Sequence, residues 1–151
     1  MNFRNMVLRL LLCFGMTLPP ASWASLGGTL DSVDADSTQM HATRHLASHG
    51  GYVVHELTLA SGTVVREFTT PSNTVFGVAW QGPFKPDLQQ LLGAHFARLN
   101  AAGKVHHGDH RSLRIHASDL VIESSGRMRA FAGRAYLPAL VPAGVSLSDI
   151  R

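Results

Sequence analysis

Cysteine is nearly absent from this chain of 151 residues, which contains only Cys13. A single thiol cannot form an intramolecular disulfide, and there is no set of cysteines of the kind that binds structural zinc. The sequence therefore excludes a small disulfide-stapled or cysteine-zinc domain. We expect a disulfide-free fold that is stabilised by its apolar core.

A long hydrophobic run is also lacking. The apolar stretch at residues 10–18 is much shorter than the roughly 20 residues that a transmembrane helix needs, and Pro19 and Pro20 end it. Two arginines precede this stretch, and the small residues Ser22 and Ala24 follow it. This order is typical of a cleaved secretory signal.

We predict that residues 1–24 are a signal peptide, with cleavage between Ala24 and Ser25. The mature protein is then periplasmic or secreted, and it has no transmembrane span. Cleavage removes Arg4 and Arg9, two of the 13 basic side chains and none of the 10 acidic ones, which leaves a formal charge of +1. A nearly neutral protein gives no reason to expect nucleic-acid binding, and we expect none.

Strand-forming residues dominate the middle of the mature chain. Three such segments, residues 52–59, 63–70 and 74–81, are separated by short turns, which favours an antiparallel meander because parallel strands need long crossovers. Shorter segments of the same kind lie at residues 113–116, 120–124 and 127–136, with a turn at residues 124–126.

Residues 87–102 predict one amphipathic helix, with Asp87 as N-cap, Gln90 at the capping-box position and Gly103 as the stop. The predicted fold class is therefore α+β. It consists of a mostly antiparallel sheet, a meander of about five or six strands, packed against one main helix. The α+β domain covers residues 52–138, and residues 139–151 form a tail on the surface or across the sheet edge.

Residues 25–51 are predicted to be a loosely ordered N-terminal segment. Within it, residues 36–48 could form a short helix that Gly50 and Gly51 end.

The strand at residues 74–81 is apolar on both of its faces. Simple alternation places its side chains in two sets, Phe76, Val78 and Trp80 on one face and Val75, Gly77 and Ala79 on the other. A strand of this kind lies in the centre of a sheet with a layer on each side. The predicted helix covers one face, and the N-terminal helix, a curl of the sheet or another copy of the protein covers the other.

Several segments together resemble a known family. In chain order they are GTVVREF, TVFGVAWQGP, PDLQQLLG, DLVIESSGRMRAFAGRAYLP and LVPAGVS. They resemble the DUF2844 family, bacterial exported proteins of unknown function, over nearly all of the mature chain. The resemblance implies export and implies no activity, cofactor or catalytic residue. The family pattern does not include this chain's histidines, which argues against a shared function for them.

The nine histidines are the unusual feature of the composition. His41, His45 and His49 are four residues apart, and on a helix they would lie along one face, where imidazoles can share a zinc or copper ion. We interpret them as a solvated helix face, since no carboxylate lies at a matching position. We therefore predict no metal site and no cofactor.

A second histidine cluster lies in a polar loop and comprises His106, His107 and His110, with Asp109 between them. Such tracts bind divalent ions adventitiously, but a glycine-containing loop fixes their geometry poorly. Metal binding is again the alternative interpretation.

Arg127 and Arg129 would share a face of the last predicted strand. This small basic strip could bind an acidic partner or an anionic lipid surface. The alternative is an ordinary solvated face, paired across the sheet with Glu56, Glu67 or Glu123.

No serine lies in a G-x-S-x-G nucleophile context, and no spacing selects two of the glutamates as a catalytic pair. We predict a non-catalytic, envelope-associated binding or accessory module whose partner is an envelope protein or a second copy of the chain. A histidine-based metal-binding protein and a small hydrolase are the alternatives.

Overall fold

The computed structural model describes residues 26–105 and 112–151. The predicted signal peptide and His106, His107 and His110 lie outside these ranges. Within them, no helix is both long enough and apolar enough to cross a membrane.

One antiparallel sheet of seven strands organises the molecule, in the order β1-β2-β3-β4-β7-β6-β5. The strands are β1 (Thr43–His49), β2 (Tyr52–Thr58), β3 (Val64–Thr69), β4 (Val75–Gly82), β5 (Ser112–His116), β6 (Val121–Arg127) and β7 (Ala130–Tyr136). Two meanders, β1 to β4 and β5 to β7, meet where β4 pairs with β7. The predicted mostly antiparallel sheet is confirmed, and it has more strands than expected.

Helices cover one side of the sheet, which we call the helix face. They are α1 (Leu30–Gln39), α2 (Leu88–Leu92) and α3 (Phe96–Val105), with a 3₁₀ turn at Gly93–His95. The Asp87 carboxylate accepts hydrogen bonds from the backbone N–H groups of Gln89 and Gln90, as the predicted cap requires. The single helix predicted over residues 87–102 is divided, because Gly93 adopts φ 50° and ends α2.

The N-terminal segment differs from its prediction. The helix predicted over residues 36–48 is wrong, because α1 ends before His41, which has φ 49°, and β1 follows. His49 pairs with Tyr52 across a two-residue turn, so Gly50-Gly51 closes a β-hairpin rather than a helix. In place of the loosely ordered segment predicted for residues 25–51, the structure has a helix and an edge strand.

The β6–β7 hairpin also differs from its prediction. Residues 124–126 lie within β6, and the turn is formed by Met128 and Arg129, where Arg129 has φ 60°. Arg127 is the last residue of β6, and it pairs with Ala130, the first residue of β7. Arg127 and Arg129 therefore do not share a strand face.

A β-bulge lies near the start of β4. Thr69 pairs with Val75 while Phe68 pairs with Gly77, so Phe76 is an additional residue on this strand. The predicted alternation is therefore wrong at this point. The core residues of β4 divide into two sets, Val75, Val78 and Trp80 on the helix face and Phe76 and Ala79 on the opposite face.

Both faces of β4 are buried, as predicted. On the helix face, the strand packs with apolar side chains of all three helices, Val33, Leu88, Leu91, Leu92 and Leu99. On the opposite face, the second layer is the tail, residues 138–151. Its Ile150 is fully buried, and Val141 and Val145 pack beside it. The tail, expected on the surface or across the sheet edge, crosses the face of the sheet with most of its residues exposed, and we call this side the tail face.

Trp80 and Gly133 join the two meanders. The two residues pair across the β4–β7 junction, and the indole ring of Trp80 covers Gly133. A Cβ atom at position 133 would lie only 2.2 Å from Cζ2 of Trp80, so only glycine fits there.

Candidate functional site

A line of mostly charged residues crosses the tail face, one residue from each strand. In strand order these residues are His45, Glu56, Arg66, Ala79, Arg134, Glu123 and Arg114. Directly opposed residues of neighbouring strands project to the same side of a sheet, so this register places them in one row. We call it the charged row.

Ion pairs neutralise most of the charged row. Nε of Arg66 lies 2.8 Å from Oε2 of Glu56, and Nε of Arg134 lies 2.7 Å from Oε2 of Glu123. His116 also approaches Glu123, with Nε2 3.0 Å from Oε1. The hydrogen bond from Arg134 lowers the pKa of the Glu123 carboxyl below its usual value. This face therefore presents paired charges rather than a field of one sign.

The same two arginines hold the tail. Nη1 of Arg66 donates to the carbonyl oxygen of Arg151 at 3.2 Å, and Nη1 of Arg134 donates to the carbonyl oxygen of Leu147 at 2.7 Å. They lie on either side of Ala79, so the tail is fixed over the middle of the sheet. This position divides the tail face into two clefts, both of which Arg151 lines.

The large cleft has a volume of about 530 Å³ and lies between the tail and the edge strand β1. Its lining comes from three strands and the tail and comprises His45, Leu46, Ala47, His49, Tyr52, Val54, Glu56, Arg66, Phe68, Asp149 and Arg151. Tyr52, Val54 and Phe68 form an apolar floor, and His49 stacks on Tyr52 with ring centroids 4.8 Å apart. Burial raises the pKa of Tyr52, so its phenol stays a neutral hydrogen-bonding group.

The small cleft has a volume of about 270 Å³ and lies on the other side of the tail. Arg114, Glu123 and Arg134 line it together with Ser112, Ser125 and Ala132. Trp80 also contributes to this lining, although its side chain is buried in the core of the helix face. The large cleft has about twice the volume and carries the partly exposed ring of Tyr52 in its floor, so it is the better candidate for an aromatic ligand.

The helix face carries a different polar group, a buried carboxyl pair. Asp36 on α1 and Glu67 on β3 are 1% and 2% exposed, and their carboxyls hydrogen-bond each other. Oδ2 of Asp36 and Oε2 of Glu67 accept from no N–H or hydroxyl donor within the described ranges. Two carboxyls can share a hydrogen bond only if one of them is protonated.

Of the two carboxyls, that of Glu67 has the more strongly raised pKa. Burial and the hydrogen bond to Asp36 raise the pKa of the Glu67 carboxyl well above its usual value. Burial also raises the pKa of Asp36, but the bonds from Glu67 and from the Gln90 side-chain amide oppose that change. Such a pair could act as a general acid and base, but α1 closes it off from solvent.

His55 lies beside the pair in a chain of buried hydrogen bonds. Arg44 Nη2 lies 2.8 Å from Nδ1 of His55, and Nε2 lies 3.0 Å from Oγ1 of Thr69. Burial and the neighbouring guanidinium of Arg44, which itself pairs with Asp34, lower the pKa of His55. The imidazole is therefore neutral, accepts from Arg44 and donates to Thr69.

The histidines of the first predicted cluster are separated by the fold. His41 precedes β1, while His45 and His49 lie on β1 and line the large cleft. In the described ranges, no group of three or more His, Cys, Asp or Glu side chains is placed to hold a metal ion. The metal hypothesis required His41, His45 and His49 to lie along one face of a helix, and this segment does not form that helix.

Comparison with known proteins gives the family and no activity. Residues 22–150 match the family described as "Protein of unknown function (DUF2844)". The chain belongs to this family. No curated protein and no solved structure matches it. The resemblance predicted from the sequence is confirmed, and the function of this DUF2844 chain must be argued from its own geometry.

Sequence reasoning missed most of the lining of the large cleft in this DUF2844 chain. Glu56 and Arg66 are symmetric about the short turn that joins β2 to β3, so their pairing could have been found from the hairpin register. Asp149 and Arg151 carried no such signal, because the predicted tail had no assigned position. The partner of Glu67 was also missed, since Asp36 lies on a helix that had been placed elsewhere.

Proposed function

We propose that this DUF2844 chain is an exported, non-catalytic binding module that holds a small amphipathic molecule in the large cleft. The observation that carries the proposal is the cleft itself, with its apolar floor and its rim of polar side chains. Its volume of about 530 Å³ falls in the range of ordinary ligand pockets, roughly 300–1,000 Å³.

The charges around the cleft favour a ligand without strong net charge. Glu56 and Arg66 neutralise each other, and Asp149 and Arg151 bring one charge of each sign from the tail. The partly exposed ring of Tyr52 offers aromatic surface for a flat apolar body, while Phe68 is 1% exposed and packs beneath it. We expect an aromatic or aliphatic molecule with one or two hydrogen-bonding groups that reach the histidines of the rim.

Binding is a better match than hydrolysis for this lining. It contains no serine, threonine or cysteine side chain that could act as a nucleophile. The carboxyl pair of Asp36 and Glu67 lies on the other face of the sheet and is closed to substrate. A cleft without an aliphatic hydroxyl or a thiol, remote from the buried acid, supports a role in holding a molecule unchanged.

Export rests on the signal pattern of residues 1–24, which lie outside the described ranges. We expect the protein recovered from the cell envelope to begin at Ser25, because Ser22 and Ala24 occupy the positions that signal peptidase reads. Intact-mass measurement tests this expectation. A mature species that retains residues 1–24 would contradict export by cleavage.

The cleft is tested with indole as a neutral aromatic probe, followed by NMR titration. Ala47 lines the cleft from an exposed position on β1, so Ala47→Trp fills the cleft without disturbing the core. We expect indole to shift the signals of Tyr52 and Phe68 in the wild type and not in this variant. The matched control is Ser48→Trp, which places the same side chain on the next residue and on the opposite face.

Two results would contradict the proposal. The first is an unchanged indole response in Ala47→Trp, which would place binding elsewhere. The second is no saturable shift in the wild type at any indole concentration at which the protein stays folded.

A further inference from the structure

The tip of the β6–β7 hairpin combines cations with an exposed apolar side chain. Met128 and Arg129 form the turn, and Arg127 is the last residue of β6. The Met128 side chain is 92% exposed. A thioether held in water at the end of a hairpin contributes nothing to the core, and two guanidinium groups flank it.

A second loop lies beside this hairpin and has the same character. Phe84 and Lys85 follow β4, whose last residue Gly82 pairs with Phe131 near the start of β7. The ammonium of Lys85 lies 6.0 Å from the centre of the Phe131 ring. Phe84 is 58% exposed. Two loops at one end of the sheet therefore present apolar side chains next to cations.

Three cations lie in this region, Lys85, Arg127 and Arg129. Within the described ranges, none of them forms an ion pair with a carboxylate. Elsewhere in those ranges, Arg66 and Arg134 are held in ion pairs. The positive charge at this end of the sheet is therefore available to an external anion.

We propose that the tip patch, which consists of Phe84, Lys85, Arg127, Met128 and Arg129, docks on an anionic lipid surface. Cations near such a surface are attracted to lipid phosphates, and exposed apolar side chains enter the interface between headgroups and acyl chains. An acidic protein would satisfy the cations equally well. The two apolar side chains beside them favour the bilayer, because its interface offers acyl chains directly next to anionic headgroups.

This inference goes beyond the proposed function and does not depend on the large cleft, which the tip patch does not include. It also places the two arginines that the sequence had assigned to one strand face into a different arrangement. Arg127 ends β6 and Arg129 lies in the turn, with Met128 between them in the chain.

Sedimentation with vesicles tests the proposal, with phosphatidylcholine vesicles that contain or lack phosphatidylglycerol. The protein used lacks residues 1–24 and keeps every described helix and strand. We expect binding only to the vesicles with phosphatidylglycerol. We expect Arg127→Gln combined with Arg129→Asn to weaken it about thirtyfold, the change that corresponds to roughly 1 kcal/mol for each cation. Asparagine suits the positive φ of position 129.

Two further variants separate specific docking from general charge attraction. Arg114→Gln removes an exposed arginine in the middle of the edge strand β5, away from the tip of the β6–β7 hairpin, and should leave vesicle binding unchanged. Met128→Ser keeps the charge and should weaken binding about tenfold, because one apolar side chain no longer enters the interface. Amide NMR spectra of all variants should match the wild type, since none of these side chains lies in the core.

The inference is overturned if the wild type does not sediment with phosphatidylglycerol vesicles. It is also overturned if the double arginine variant binds as well as the wild type, or if Arg114→Gln weakens binding as much as the double variant. An unchanged affinity of Met128→Ser would contradict the insertion of that side chain. The indole titration of the cleft is unaffected by any of these outcomes.

Discussion

The two faces of this sheet differ in how far their ionisable side chains are exposed to solvent. On the helix face, Asp36 and Glu67 are buried between α1 and the sheet, and His55 is buried beside them between Arg44 and Thr69. On the tail face, Glu56 and Arg66 form an ion pair that remains partly exposed beside a cleft. The same sheet thus has one sealed polar layer and one hydrated polar layer.

The difference indicates what each layer can do. A buried ionisable group changes stability with pH but meets no ligand, because solvent and solute reach it only after the fold opens. A hydrated ion pair adds little stability, yet its hydrogen-bonding capacity is open to a bound molecule. The layer that contributes to stability and the layer that we propose for binding are therefore on different sides of the sheet.

The largest expected effect tests the core of the helix face. Trp80→Ala should lower the free energy of unfolding by about 3–5 kcal/mol, because it leaves a large cavity above Gly133. Urea unfolding measures the change. Leu46→Ala is the control, since Leu46 is 63% exposed on β1 and its truncation should cost less than about 0.5 kcal/mol. A cost under about 1 kcal/mol for Trp80→Ala would contradict the burial of the ring.

A second prediction concerns the pH dependence of the sealed layer. The pKa of Glu67 is raised in the folded state above its usual value of 4.5. The unfolded chain therefore releases this proton first, and stability falls as pH rises from 4.5 through the folded pKa. Glu67→Gln keeps a donor for Asp36 and has no proton to lose. It should be more stable than the wild type above about pH 5, by roughly 1.4 kcal/mol for each unit that separates the folded and unfolded pKa values.

Urea unfolding from about pH 5 to pH 8 measures this difference. The matched control is Glu56→Gln on the tail face, which should show no such widening gap as pH rises. His55 acts in the opposite direction. Its lowered pKa means that stability is lost as pH falls below 6.5, in the wild type and in both variants. A gap between Glu67→Gln and wild type that does not grow with pH would show that the pair ionises freely.

The smallest expected effect concerns the hydrated layer. Arg134→Gln removes the pair with Glu123 and the bond to the Leu147 carbonyl, and it should cost about 1 kcal/mol or less. A double-mutant cycle with Glu123→Gln isolates the ion pair, for which we expect about 0.2–1 kcal/mol. A coupling energy well above this range would mean that the tail face is less hydrated than its exposure indicates.

The sequence predicted those parts of the fold that local signals define. Asp87 as a helix cap and the short turns between β2, β3 and β4 each have a recognisable sequence pattern within a few residues. The burial of β4 on both faces followed from an apolar run that no solvated strand could carry.

The rest depended on contacts that no local pattern records. Gly50-Gly51 is compatible with the end of a helix and with a hairpin turn, and only the pairing of β1 with β2 decides between them. The bulge at Phe76 changes which face of the sheet the first residues of β4 occupy. Phe76 is neither a glycine nor a proline, so its residue type gave no sign of a bulge. The large cleft exists only because the tail crosses the sheet. The hydrogen bonds from Arg66 and Arg134 that hold the tail there join residues far apart in the sequence, so no local pattern predicts them.

The junction of β4 with β7 has a consequence for folding kinetics. Within each meander, neighbouring strands are joined by short connections and can pair early, because closing a short loop costs little entropy. Pairing β4 with β7 closes the long segment that contains α2, α3, β5 and β6, which makes it the contact of highest sequence separation within the sheet. We therefore expect the two meanders to form first and the rate of folding to be set by the step in which Trp80 settles over Gly133.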